Sequence, residues 1–325
     1  MEKAVDNVYQ KGILNKFFEA FGLEQKYKLL GDFENYVYEV YKGNKPFILR
    51  VTHSSHRSME EILGEIDWVN YLSHHGSNVP TVFPSQNNQI IEEQTATDQT
   101  SFFACLFSKV EGIGVRSTDE QFNDTLFQSW GREIGKIHRL TDQYESKHGY
   151  RKHWFEDDLF ALEKYVPTEL KVIQRKNEII KQLNELPETN YGLIHNDVHN
   201  GNFFYDNDNI YIFDFDDACY FWYVSDIAIP LYYACYSLFK NEERLDEKRV
   251  FANRFIDNFM IGYQKEFMPP ERWKEQLTLF LKVRDITLYA ALNKKIAPED
   301  RNQGLQESME QIRRRIEHGE PIVVL

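Results

Sequence analysis

Between Leu193 and Asp217 the chain carries His195, Asp197, His199, Asn202, Asp214, Asp216 and Asp217, set among strongly apolar segments. A carboxylate close to a core is costly unless it stands in water or meets a cation, and here the spacing favours a cation. Asp197 and Asn202 flank Gly201 just ahead of one short apolar run, FFY, and Asp214 closes the next, IYIF. Pairing the two runs as a hairpin across Asp206 to Asp208 brings Asp197, Asn202 and Asp214 to one end. Carboxylate and amide oxygens suit a hard cation such as Mg2+, which keeps several waters and shares its other positions with substrate phosphates. The layout points to phosphate chemistry.

Those residues need a frame. Upstream, GDFENYVYEVYKG (Gly31 to Gly43) and KPFILRVTH (Lys45 to His53) gather β-formers between turn residues and predict a hairpin. MEEILGEIDWVNYL (Met59 to Leu72) spaces Ile62, Ile66, Val69 and Leu72 for a helix, which also carries Glu65. SFFACLFSKVEG (Ser101 to Gly112) reads as a further strand, and the change to long helices after it predicts a boundary between residues 1–110 and 111–325. Leu126, Trp130, Ile134 and Ile137 share one helical face, and 155–186, 246–266 and 271–296 read as helical too. The stretch Tyr191 to Ala228 interrupts them with β-rich pieces between Asp/Asn turns. The expected class is α+β, with a smaller antiparallel-sheet lobe followed by a larger, mainly helical one. A 325-residue chain that is 42% hydrophobic and 15% aromatic can build such cores and is not disordered. With 38 basic against 51 acidic residues, net −13, it is a poor phosphate-backbone binder, so nucleic acid is not an expected partner. Cys105, Cys219 and Cys235 form no CxxC pair, which argues against zinc, redox chemistry or a disulfide framework and fits a reducing cytoplasm. The first residues show no secretion signal, and the apolar run Ile227 to Tyr236 is short and holds Pro230, so no membrane span is expected.

HNDVHNGN followed by IFDFDD resembles the catalytic segment of the aminoglycoside phosphotransferase and choline kinase-like superfamily, distant relatives of the protein kinases. The resemblance implies a bilobal protein-kinase-like fold with ATP between the lobes, and ATP and Mg2+ as cofactors. It makes Asp197 the group that accepts or orients the substrate hydroxyl, and gives magnesium to Asn202 and Asp214, with Asp216 a contact for a second ion. His195 braces the loop, His199 receives no derived role, and Asp226 in SDIA matches a structural position. GDFENYVYEV is similar to the family's abbreviated nucleotide loop, in which Gly31 lets the backbone approach phosphate and Asn35 closes the turn. In FILRV, Arg50 stands where the family often carries its phosphate-binding Lys, with Glu65 as ion-pair partner; the exchange keeps the charge and alters donor geometry. CLFSKVEG resembles the hinge, so main-chain groups of Ser108 and Val110 are expected to meet adenine.

The implied reaction is transfer of the γ-phosphoryl group to a hydroxyl of a small molecule: an aminoglycoside, homoserine or a choline-like alcohol. Residues 1–110 hold 10 basic and 14 acidic residues against 28 and 37 in the rest, so the expected substrate lobe carries most of the acid surplus, which mildly favours an amine-bearing acceptor. A small bacterial Ser/Thr protein kinase is the alternative enzyme; the short distance from Asp214 to SDIA leaves no activation segment ending in Ala-Pro-Glu and favours small molecules. A catalytically silent nucleotide-binding or spore-coat-like protein is the alternative outside catalysis, for which Arg50 leaves room. Glu156-Asp157-Asp158 reads as a solvated helix start, with a pocket for a cationic substrate as the other possibility. Arg313-Arg314-Arg315 reads as surface, and Tyr232, Tyr233, Tyr236, Trp222 and Tyr223 as core.

Overall fold

The computed structural model describes residues 3–239 and 244–325. It divides into two compact units, Met1–Glu111 with Tyr144–Arg151, and Gly112–Gln143 with Lys152–Leu325.

The first unit runs α1 (Lys3–Val8), α2 (Lys11–Phe21), β1 (Tyr27–Gly31), β2 (Tyr36–Lys42), β3 (Lys45–His53), α3 (Met59–His74), β4 (Val82–Phe83), β5 (Glu92–Thr95) and β6 (Ser101–Ser108). Its sheet is antiparallel, in the order β1-β2-β3-β6-β4 with β5 also paired to β6. The expected hairpin is β2 and β3, with Lys42 opposite Lys45. Its turn residues Gly43 and Asn44 both have positive φ, 57° and 62°, the pair of left-handed conformations whose twist matches flanking strands. The segment from Gly31, expected as one strand, instead splits: Gly31 ends β1, and Asp32 to Asn35 turn the chain into β2. Alternation along β3 sends Leu49 and Val51 into a core with Phe17, Phe18, Phe21, Val40, Phe102 and Leu106. Each such side chain, once fully buried, contributes roughly 2 kcal/mol. α3 starts on a capping box between Ser58 and Glu61 and runs past the expected Leu72 to His74.

Tyr144–Arg151 returns to this unit from beyond residue 111. Polar bonds hold it: Tyr144 donates its hydroxyl to Asp67 (2.6 Å), and Arg151 donates Nη1 to the Glu61 carbonyl (3.0 Å). A segment with no apolar period gives no sequence signal for such a return.

The second unit contains α4 (Asp124–Thr141), α5 (Leu170–Asn184), β7 (Tyr191–Ile194), β8 (Phe203–Asp206), β9 (Asn209–Ile212), β10 (Cys219–Trp222), α6 (Tyr223–Leu238), α7 (Leu245–Tyr263), α8 (Trp273–Lys295) and α9 (Gln303–His318). Leu126, Trp130, Ile134 and Ile137 are all buried on one face of α4. α4 lies against α7 through glycines: a Cβ on Gly131 would stand 1.8 Å from the Phe259 carbonyl oxygen, and one on Gly262 1.8 Å from that of Gln128. β8 and β9 form the expected hairpin, turning on Asn207 and Asp208 with φ of 45° and 61°.

Two helical expectations are corrected. Residues 155–186 are not one helix: short 3-10 turns occupy Trp154–Lys164, and α5 begins only at Leu170, beyond Pro167, which cannot sit inside a helix without removing a hydrogen bond. Tyr223 to Ala228, read with the β-rich stretch, opens α6, which tolerates Pro230 within it. Among the described residues no helix is long and apolar enough to cross a membrane.

Candidate active site

β7 pairs with β10 and β8 with β9, so the loop from His195 to Asn202 and the loop from Phe213 to Asp217 spring from neighbouring strand ends. His195 is fully buried and ties the two together: its Nε2 donates to the Phe213 carbonyl (3.1 Å), and its Nδ1 accepts from the Asp197 amide (3.3 Å). One neutral tautomer satisfies both bonds, and burial lowers the imidazole pKa so that it stays neutral. Phe213 N–H donates to the Asn202 carbonyl (2.9 Å), a second tie between the loops. Asp226, in the first turn of α6 and fully buried, accepts the amides of His195 (2.9 Å) and Asn196 (2.8 Å). Its carboxylate holds the loop at a point where Asn196 takes a left-handed φ of 66°.

Asp197 has a holder on each oxygen. Oδ1 accepts from Nη2 of Arg284, while Oδ2 accepts from Asn202 Nδ2 (3.2 Å) and lies 3.5 Å from His199 Nε2. Burial alone would raise this carboxyl, but Arg284 first, then His199, outweigh it and hold the pKa below the ordinary value. Asn202 Nδ2 also donates to the Asp197 carbonyl (2.9 Å). Asp214 is exposed and adopts a φ of 66°, a left-handed conformation costly for a non-glycine residue that marks many functional loops. Asp216 is buried and Asp217 exposed. An amide oxygen and carboxylates presented from two tied loops are the donor set a magnesium ion takes.

In the first unit Arg50 and Glu65 form a bidentate ion pair, Nη1–Oε1 2.7 Å and Nη2–Oε2 2.6 Å, both side chains buried and the guanidinium 5.1 Å from the Phe107 ring centre. Asn35 is buried and accepts at Oδ1 from Thr52 (2.7 Å), bracing the turn before β2. A side chain on Gly31 would meet nothing within 4 Å, so its own packing does not require glycine there. The expectation for Ser108 narrows: its N–H donates to the Thr81 carbonyl (2.8 Å), so what its main chain can offer a base is the carbonyl. Val110 follows β6, half-buried.

Next to Asn196 and Arg284 the second unit has a small pocket, about 40 Å3, whose walls include Trp154, Phe160, Phe221, Asp157, Asp217 and Arg284. The acidic run divides: Asp157 lines this cavity while capping the Leu159 amide (2.9 Å), and Asp158 accepts from Tyr165 and Lys294. Arg284 and Tyr233 are the groups that sequence reasoning missed. Tyr233, read as core, meets the Arg284 guanidinium with its hydroxyl and its ring face, centroid 4.9 Å away. The available signal was LFLKVRDITLY, in which Lys282, Arg284 and Asp285 interrupt a mostly apolar helical run. Arg315, read as surface, is buried and pairs with Asp285, whereas Arg313 and Arg314 meet Glu310 on the outside.

Residues 27–271 match the family described as APH, phosphotransferase enzyme family. The chain belongs to that family. It is a small-molecule phosphotransferase with a hydroxyl acceptor. It is 36% identical over 300 residues to the amicoumacin kinase of Bacillus subtilis (strain 168), covering 91% of this chain and 88% of the relative. Among solved structures it is similar to the amicoumacin kinase hAmiN in complex with AMP-PNP, Ca2+ and Ami, with TM-score 0.92 and 32% identity over 99% of this chain and 98% of that one. The microcompartment-associated aminopropanol kinase shares the fold, with TM-score 0.74 and 20% identity over 95% and 98% of the two chains.

Proposed function

We propose that this phosphotransferase uses magnesium-ATP to phosphorylate a hydroxyl of an amine-bearing antibiotic of the amicoumacin type. The observation that carries the reading is the Asp197 carboxylate, held ionised by Arg284, which itself lines a pocket together with aromatic rings and with Asp157 and Asp217. Aromatic walls suit an apolar ring system, and the two carboxylates suit an ammonium group. The similarity to two amicoumacin kinases supports the same class of acceptor.

Asp197 accepts a hydrogen bond from the acceptor hydroxyl, aims its oxygen at the γ-phosphorus and takes its proton as the new oxygen–phosphorus bond forms and the bond to the β-phosphate oxygen breaks, releasing ADP. Asn202 and Asp214 would hold magnesium, which when bound neutralises charge on the phosphates. Arg50, fixed by Glu65, is assigned to the nucleotide phosphates, with Gly31 and Asn35 shaping the turn and Ser108 and Val110 meeting the base. Asp216 is assigned to a second ion and His195 to support of the loop. A cytoplasmic location belongs to the same proposal, because ATP is its phosphoryl donor.

The test is an acceptor panel. The purified protein with magnesium-ATP is expected to form ADP in step with a phosphorylated product on amicoumacin, and far more slowly on choline, aminopropanol or a polycationic aminoglycoside. Turnover of a protein substrate with none of the small molecules accepted would overturn the reading.

A further inference from the structure

Arg284 comes from α8, 87 residues beyond Asp197, yet its guanidinium meets that carboxylate, the backbone beside it and Tyr233 of α6. Nη2 donates to Asp197 Oδ1 and to the Tyr233 hydroxyl, and Nη1 reaches the carbonyl of Asn196 (3.4 Å). The ion pair is largely shielded from water, with side-chain exposures of 14% and 19% for Arg284 and Asp197.

The guanidinium is itself held from behind. The next residue, Asp285, points away from the loop and is buried between Arg315 of α9 (Nη2–Oδ1 2.6 Å, Nε–Oδ2 3.0 Å) and the Tyr232 hydroxyl of α6 (2.7 Å). Consecutive residues of α8, 284 and 285, are therefore tied to consecutive residues of α6, 233 and 232. This double tie fixes the rotation and register of α8 on α6. The face of Arg284 not used in these bonds borders the cavity that also reaches Asn196 and Asp217.

We propose that Arg284 is a positioning residue for phosphoryl transfer: it clamps one oxygen of Asp197 so that the other faces the acceptor hydroxyl, and it forms part of the acceptor cavity's wall. The proposal rests on the reading of Asp197 as the group that engages the hydroxyl. A carboxylate on a single-bonded side chain has freedom to rotate, and near-attack alignment is lost with small displacements. Asn202 and His199 crowd only Oδ2, whereas Oδ1 is held by Arg284.

The experiment compares steady-state phosphorylation of amicoumacin by the wild-type protein with that by Arg284→Met, Arg284→Lys and Arg284→Ala, the last with and without millimolar guanidinium chloride. Arg284→Met is expected to lose about 100-fold in kcat. Arg284→Lys, which restores charge without the fork, is expected to recover part of that loss. Added guanidinium is expected to raise the kcat of Arg284→Ala, whereas equal sodium chloride does not. Thermal unfolding run alongside separates folding from function, because a purely structural arginine would lose activity in proportion to the folded fraction and would show no guanidinium rescue. Arg284→Met with more than half the wild-type kcat overturns this proposal and leaves the kinase reading standing; a wild-type protein that phosphorylates no small hydroxyl compound overturns both.

Discussion

Two buried groups set the geometry of the loop that carries Asp197. Asp226 takes two consecutive backbone amides, and His195 links that loop to the one carrying Asp214. Charge-assisted bonds to a buried carboxylate contribute about 1.5–3 kcal/mol, so Asp226→Asn is expected to lower stability by roughly that amount and to lower kcat further, read by urea unfolding and steady-state rates. His195 gives a pH dependence. Burial depresses its pKa in the folded state, so the unfolded chain binds that proton more readily. Its contribution to stability is therefore complete above about pH 6.5 and is lost as pH falls below that value. Urea midpoints measured between about pH 8 and about pH 5 should fall toward acid in the wild-type protein and fall less steeply in His195→Gln. Asp197, Asn202 and Asp214 could be singled out as candidates in sequence because they sit on two short adjacent segments, and the pairing of Arg50 with Glu65 because the family resemblance set that strand position against that helix position. Arg284 was not, since a contact that spans 87 positions has no local spacing to betray it.

At the scale of elements, α4 and α7 meet backbone to backbone. The Gly131 position leaves no room for a methyl group, with the Phe259 carbonyl oxygen 1.8 Å from where it would stand. Gly131→Ala is expected to cost about 3 kcal/mol. Gly304, near the start of α9, has only the Asn302 side-chain oxygen at 3.7 Å, so Gly304→Ala should be neutral or stabilise by up to about 1 kcal/mol. Urea titrations of the two variants check the contrast; equal effects would mean that the helices do not approach as described. The amphipathic α4, the long helices α7 and α8, the helix carrying Glu65 and both hairpins could be read from period, length and turn residues. α6 could not, because its near-continuous burial removes the polar face that reveals a helix, and Pro230 argued against one. The 3-10 turns over Trp154–Lys164 escaped for the opposite reason: their order comes from aromatic contacts such as Trp154 with Phe160 and Phe221, not from a period.

Across the whole molecule the net charge of −13 first served only to set aside nucleic acid. The structure gives part of the surplus specific work, with Asp226 anchoring a loop, Asp285 tying α8 to α6 and α9, and Asp157 and Asp217 lining the pocket beside Arg284. The cysteines Cys105 and Cys235 are buried, and burial pushes each thiol up to about 12. Both are expected to resist a thiol reagent in the native protein and to react in urea, measured by absorbance of the released chromophore. Saturation with a non-hydrolysable ATP analogue and magnesium should raise unfolding stability by about 2.7 kcal/mol at a hundred times Kd. The central claim is that Asp197 directs a phosphoryl group from ATP to a small hydroxyl compound. The most direct measurement is mass spectrometry of amicoumacin after incubation with magnesium-ATP and either the wild-type protein or Asp197→Asn, which keeps the shape of the side chain and removes its charge. The account predicts a product heavier by one phosphoryl group with the wild-type protein and a rate lower by roughly 10^2–10^4-fold with the variant; equal rates from the two proteins would contradict it.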